Sequence, residues 1–68
     1  GSYQQAIDNY DKAIEINPDE SMFYSEKGDT LYELGEEDIA CDNYIKASKL
    51  GDEETKNYLN SRDGKWCK

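Results

Sequence analysis

Two cysteines, Cys41 and Cys67, and sixteen carboxylates are the side chains with which this 68-residue chain could do chemistry, and there is no histidine to assist them. A nucleophilic Cys or Ser normally needs an adjacent base, most often imidazole, so no nucleophile–base pair can be assembled here. Cys41 falls at an apolar helical position, where a thiol behaves as a small hydrophobe. The cysteines are not in a Cys-x-x-Cys arrangement, and without histidine neither a zinc site nor a redox motif is supported. Two free thiols are the expected state. A Cys41–Cys67 bridge stays open as an alternative, because spacing in sequence says nothing about separation in space. The carboxylates are spread evenly, as on solvated helix faces, rather than gathered as an acid/base pair. No catalysis, cofactor or metal is therefore expected.

Eight Lys and Arg against sixteen Asp and Glu give a formal charge of −8. Nucleic-acid affinity rests on cations that displace phosphate counterions, so a nucleic-acid partner is excluded, and an anionic membrane surface is disfavoured for the same reason. No stretch approaches the roughly 20 apolar residues of a membrane span, and no basic-then-apolar leader opens the chain. An intracellular, cytoplasmic location is expected. At this size a chain buries only about 60% of the surface its unfolded state exposes, so its stability is thin.

The elements that position these residues come from an internal repeat. A shift of 34 residues superimposes Gly1/Gly35, Ala6/Ala40, Asp8/Asp42, Asn9/Asn43, Tyr10/Tyr44, Lys12/Lys46, Ala13/Ala47, Glu20/Glu54, Tyr24/Tyr58 and Asp29/Asp63. Ordinary composition would give roughly two or three identities. A period in this range is the mark of stacked supersecondary units. Tyr3, Ala6, Ile7, Tyr10, Ala13 and Ile14 recur at three- and four-residue intervals, as do Ala40, Cys41, Tyr44, Ala47 and Leu50, so each set lies along one helical face. Alanines on these faces let helices approach closely, and tyrosines fill the gaps. A further helix runs between them, with Tyr24, Gly28 and Leu31 inward. A mid-helix glycine costs roughly 1 kcal/mol relative to alanine, so a bulky residue of a crossing helix is expected against Gly28.

The resulting expectation is an all-α chain of four helices, roughly 2–16, 18–34, 36–50 and 53–61. These form one segment, 1–62, followed by a tail, 63–68. Asn17 and Pro18 read as cap and first residue of the second helix, with Glu20 completing a capping box. Gly35 and Gly51 read as left-handed helix stops, and Asp52 as the cap of the fourth helix. Asp63-Gly64 reads as a turn. Trp66 either folds back as an anchor or belongs to a longer structure.

Gly1-x-Tyr3-x-x-Ala6-Ile7-x-x-Tyr10-x-x-Ala13-Ile14-x-Ile16-Asn17-Pro18 resembles the second helix and closing turn of a tetratricopeptide repeat. Tyr24, Gly28, Leu31, Gly35, Ala40, Tyr44 and Ala47 then match a full repeat, and the likeness covers about residues 1–60. Two positions depart from the pattern: Lys27 stands where the family has leucine, and Asp52 where it has proline. The resemblance implies about two repeats of an α-solenoid, beginning at the second helix of a pair, hence a fragment of a longer protein or an associating piece. Gly1-Ser2 has the look of a cloning scar, yet Gly1 also fits the repeat register.

The resemblance further implies a concave groove that holds peptide segments of other proteins, lined at Met22, Ser25, Asp29 and Tyr32, with Lys56 at the start of the final helix. At 100° per residue the first four fall within about an 80° arc, away from the inward stripe. The carboxylate-clamping lysine, arginine and asparagine of one subset of the family are not supplied here. A protein or peptide partner is expected, a basic one being favoured by Asp29. The alternative is a structural, oligomerising piece of a repeat array, self-associating through its first helix, with no separate ligand site.

Overall fold

The computed structural model describes residues 2–67, leaving the Gly1 register position and the last residue of the expected tail outside the described residues. The fold is all-α: α1 (Tyr3–Ile16), α2 (Ser21–Glu33), α3 (Glu37–Lys49), α4 (Glu53–Asn60) and a short 3-10 helix (Arg62–Cys67). Each element packs on its neighbour in sequence, with α3 between α2 and α4 and the 3-10 helix against α4.

The helix stops follow from backbone chirality. Gly35 and Gly51 have φ of +87° and +107°, a region that side-chain-bearing residues avoid. Each stop is the same double bond pattern. Glu36 N–H donates to the Leu31 carbonyl at 2.9 Å and Gly35 N–H to that of Tyr32 at 3.0 Å. Asp52 N–H donates to the Ala47 carbonyl and Gly51 N–H to that of Ser48, each at 3.1 Å. These pairs satisfy carbonyls that a helix end would otherwise leave open. Asp52 then caps α4, its carboxylate accepting from Thr55 N–H at 3.2 Å.

The second helix begins later than Pro18. Asn17 ends α1, its N–H donating to the Ala13 carbonyl at 2.8 Å, and Glu20 N–H closes a turn onto the Asn17 carbonyl at 3.3 Å. Glu20, and not Asn17, is the cap residue, and its side chain makes no cap bond. The physical reason is that proline's fixed φ suits the second position of a tight turn as well as a first helical position. The restriction on the residue before proline also keeps Asn17 out of helical geometry.

The core is Ile7, Leu31, Ala40, Tyr44 and Leu59, with Trp66 and Cys67 packed against it. Ala40 and Ala47 are wholly buried, while Ala13 is half-buried. Gly28 lies directly under the Tyr44 ring. A Cβ there would stand 2.8 Å from Tyr44 Cε1, so the glycine is what lets α2 and α3 close on each other. Lys27, the departure from the repeat pattern, joins α2 to α1 through its Nζ, 2.6 Å from Asp11 Oδ1. Both partners are partly exposed, so this pair contributes at most about 1 kcal/mol.

Two expectations change at the C-terminal end. Asp63-Gly64 is not an isolated turn but part of the 3-10 helix that brings the chain back over α4. Gly64 is buried, and a side chain on it would collide with the Tyr58 carbonyl and Leu59 Cα. The cysteines are not free thiols: Cys41 on α3 and Cys67 at the end of the 3-10 helix form a disulfide, with Cα atoms 5.3 Å apart. The fold-back that carries Trp66 inward also carries Cys67 to Cys41, which sequence spacing alone does not reveal. Disulfides persist in oxidising environments and are rare in the cytosol, so the cysteines lend no support to an intracellular location. Among the described residues no helix is long and apolar enough to cross a membrane.

Candidate functional site

Between α2 and α4 lies an open cavity of about 470 Å³. Its α2 wall is Ser25, Asp29 and Tyr32, residues spaced by four and three and therefore on one face of the helix. Tyr44 of α3 forms the floor. Asp52, Glu54, Thr55 and Tyr58, from the capped start and first turns of α4, form the opposite wall. Trp66, brought in by the 3-10 helix, completes the lining.

The cavity's polar contacts are specific. Tyr44 Oη donates to Asp29 Oδ1 at 2.5 Å, tying floor to wall. Trp66 Nε1 donates to Tyr58 Oη at 2.6 Å, fixing the indole to α4. The rings form one cluster: Tyr32 and Trp66 centroids are 4.9 Å apart, Tyr44 and Trp66 6.2 Å, and Tyr44 and Tyr58 6.1 Å. The last two pairs meet edge to face, a favourable quadrupole arrangement. Ser25 is turned to its own helix, its hydroxyl donating to the Met22 carbonyl at 3.0 Å.

Of the five residues expected to face a partner, Ser25, Asp29 and Tyr32 line the cavity, whereas Met22 and Lys56 are exposed outside it. Met22 and Lys56 occupy equivalent repeat positions near the starts of α2 and α4, on helix surface beyond the cavity's reach. Sequence reasoning missed the remaining six lining residues. Tyr44 carries a signal that could have been read: a tyrosine on an inward stripe needs a partner for its hydroxyl, and Asp29 faces it across the Gly28 contact. Nothing in the spacing of Trp66 points to the cavity.

The arrangement offers carboxylates and aromatic faces. No cationic side chain lines the cavity, and the one ion pair among the described residues, Lys27–Asp11, lies elsewhere. No group of His, Cys, Asp and Glu among the described residues is placed to hold a metal ion.

Burial, and then the hydrogen bond to the Asp29 carboxylate, holds the Tyr44 phenol well above the ordinary tyrosine range. Burial and the nearby Glu26 move Tyr10 in the same direction. The sign for stability follows by linkage. Below pH 10 both folded and unfolded chains keep these protons, and the full stability is present. Above it the unfolded chain releases them and the folded chain does not, so stability falls as pH rises. The urea midpoint is expected to drop progressively above pH 10, with Tyr44→Phe removing part of that slope. An identical alkaline slope in the Phe variant would show that Tyr44 is not the group responsible.

Comparison with known proteins places the chain among helical repeats. Residues 1–35 match the family model described as the TPR repeat. Over 48 residues, 71% of its length, the chain is 46% identical to a TPR repeat-containing protein of Methanocaldococcus jannaschii, of which it covers 8%. It is 38% identical, over 48 residues and again 71% of its length, to the small glutamine-rich tetratricopeptide repeat-containing protein 2 of Mycosarcoma maydis, of which it covers 14%. The chain thus spans a small part of either relative. No solved structure matches it.

Proposed function

Because this chain belongs to the tetratricopeptide-repeat family, whose repeats generally serve protein–protein interaction, we propose that it binds a segment of another protein across the α2–α4 face. The observation that carries this reading is the open cavity there, whose aromatic and carboxylate groups are reachable from solvent. A peptide laid along α2 would meet Asp29 and Tyr32, and the carboxylates on both walls favour a basic segment over an acidic one. The role is binding rather than catalysis: the site offers anchoring surfaces and no nucleophile–base pair. Met22 and Lys56 would contact such a segment only where it extends past the cavity.

Reversing the charge at Asp29 tests the site. Asp29→Lys is expected to weaken a basic peptide roughly tenfold, about 1.4 kcal/mol, in titration calorimetry. Unchanged affinity would remove Asp29 from the binding surface. Since Asp29 also accepts the Tyr44 hydroxyl, the helical circular dichroism of the variant is recorded alongside.

A second reading rests on α1. Ile16 is 86% exposed and Tyr3 44% exposed, leaving apolar side chains of this helix uncovered. Self-association through this helix would make the chain a structural piece of an assembly. Sedimentation at rising concentration separates the readings: dimers without peptide binding favour assembly, and a peptide-binding monomer favours the groove.

A further inference from the structure

Resting on the reading of the α2–α4 cavity as a peptide-binding site, we infer that the cavity takes one arginine side chain of the partner, its guanidinium lying against Trp66 and Tyr32 and hydrogen-bonded to Asp29 and Glu54. Three features of the cavity converge on that group. The lining combines carboxylates from two opposed helices with the half-exposed ring of Tyr32 and the half-buried indole of Trp66. Within the described residues no ion pair occupies Asp29 or Glu54, so their charge is available to an incoming cation. The cavity volume, about 470 Å³, admits a long side chain and lies within the range of small-ligand sites.

The chemistry distinguishes guanidinium from other cations. A planar delocalised cation stacks on aromatic faces and still presents N–H donors in its own plane, so it can meet rings and carboxylates together. An ammonium is a compact, strongly hydrated charge that gains less from the rings. A quaternary ammonium suits an aromatic cage but has no N–H, so it would bring no donor to Asp29 or Glu54. Tyr44 uses one oxygen of Asp29 and leaves the other for a ligand.

Trp66 is the single tryptophan of the chain and lines the cavity, so its emission reports occupancy directly. The experiment titrates the disulfide-intact chain with four blocked alanine–glycine peptides that differ at one central residue: arginine, citrulline, lysine or trimethyllysine. The arginine peptide is expected to change Trp66 emission saturably, with citrulline weaker by about tenfold or more, the loss that goes with removing a charge-assisted pair. Glu54→Gln, an exposed substitution that leaves the core untouched, is expected to narrow the arginine–citrulline difference.

Equal binding of arginine and citrulline peptides would overturn the guanidinium assignment and leave the groove reading standing. Trimethyllysine binding as tightly as arginine would reassign the cavity to a quaternary ammonium and overturn it equally. Absence of binding by all four, confirmed by calorimetry, would overturn the assignment and the groove reading together.

Discussion

Reducing the Cys41–Cys67 bond, or replacing both cysteines with alanine, is expected to lower the unfolding free energy by about 3 kcal/mol. The bond joins residues 26 apart in sequence, and closing a loop of that length removes entropy from the unfolded chain to that extent. A domain of this size has a total stability of roughly 3–10 kcal/mol, so the bond accounts for at least about a third of it. The loss has a local part as well. Cys67 tethers the 3-10 helix, and that segment holds Trp66 against Tyr32, Tyr44 and Tyr58. Urea titration with and without a reductant, followed by both helical dichroism and Trp66 emission, measures the two parts. Coincident curves in the two conditions would show that the bond contributes nothing.

Truncating Tyr44 should cost as much or more. The ring is 8% exposed, packs on Gly28, meets Tyr58 and Trp66 at their edges and donates its hydroxyl to Asp29. Removal of a buried aromatic costs about 3–5 kcal/mol. The coupled test is at Gly28. Helix propensity alone makes Gly28→Ala favourable by about 1 kcal/mol. The added methyl meets a ring that is held by Asp29, Tyr58 and Trp66, and overpacking of that kind costs about 1–3 kcal/mol. Gly28→Ala is therefore expected to destabilise the native chain, yet to stabilise the Tyr44→Ala variant, a reversal of sign that a double-mutant cycle reads directly. An osmolyte such as trimethylamine oxide brings the weaker variants into measurable range. The same sign in both backgrounds would mean that Gly28 is not reserved for the Tyr44 ring.

The paired Tyr44 and Gly28 predictions originate in how α2 meets α3, and the need for a close contact there is legible in the sequence. A glycine inside an otherwise periodic helix has a cost that something must offset, which calls for a bulky residue of a crossing helix, and the structure shows that residue to be Tyr44. The cavity was half legible. Asp29 and Tyr32 share a helical face with Ser25, which spacing alone reveals. Asp52, Glu54 and Tyr58 join them only because the Gly51 stop turns the chain so that α4 returns alongside α2. The start of α2 was misplaced because proline serves a turn and a first helical residue equally well, and only the neighbouring hydrogen bonds choose between them.

By itself the sequence determined the all-α character, the two-copy unit and the places where helices stop, because these depend on interactions within about four residues and on backbone chirality. Tertiary structure alone decided the Cys41–Cys67 bond, the position of Trp66 and the union of two acidic walls with one aromatic cluster. Each joins residues far apart along the chain, and their separation in space depends on every turn between them. The buried Gly64 shows why local reading stops short. What it permits is a close approach to Tyr58 and Leu59 that exists only once the chain has folded back.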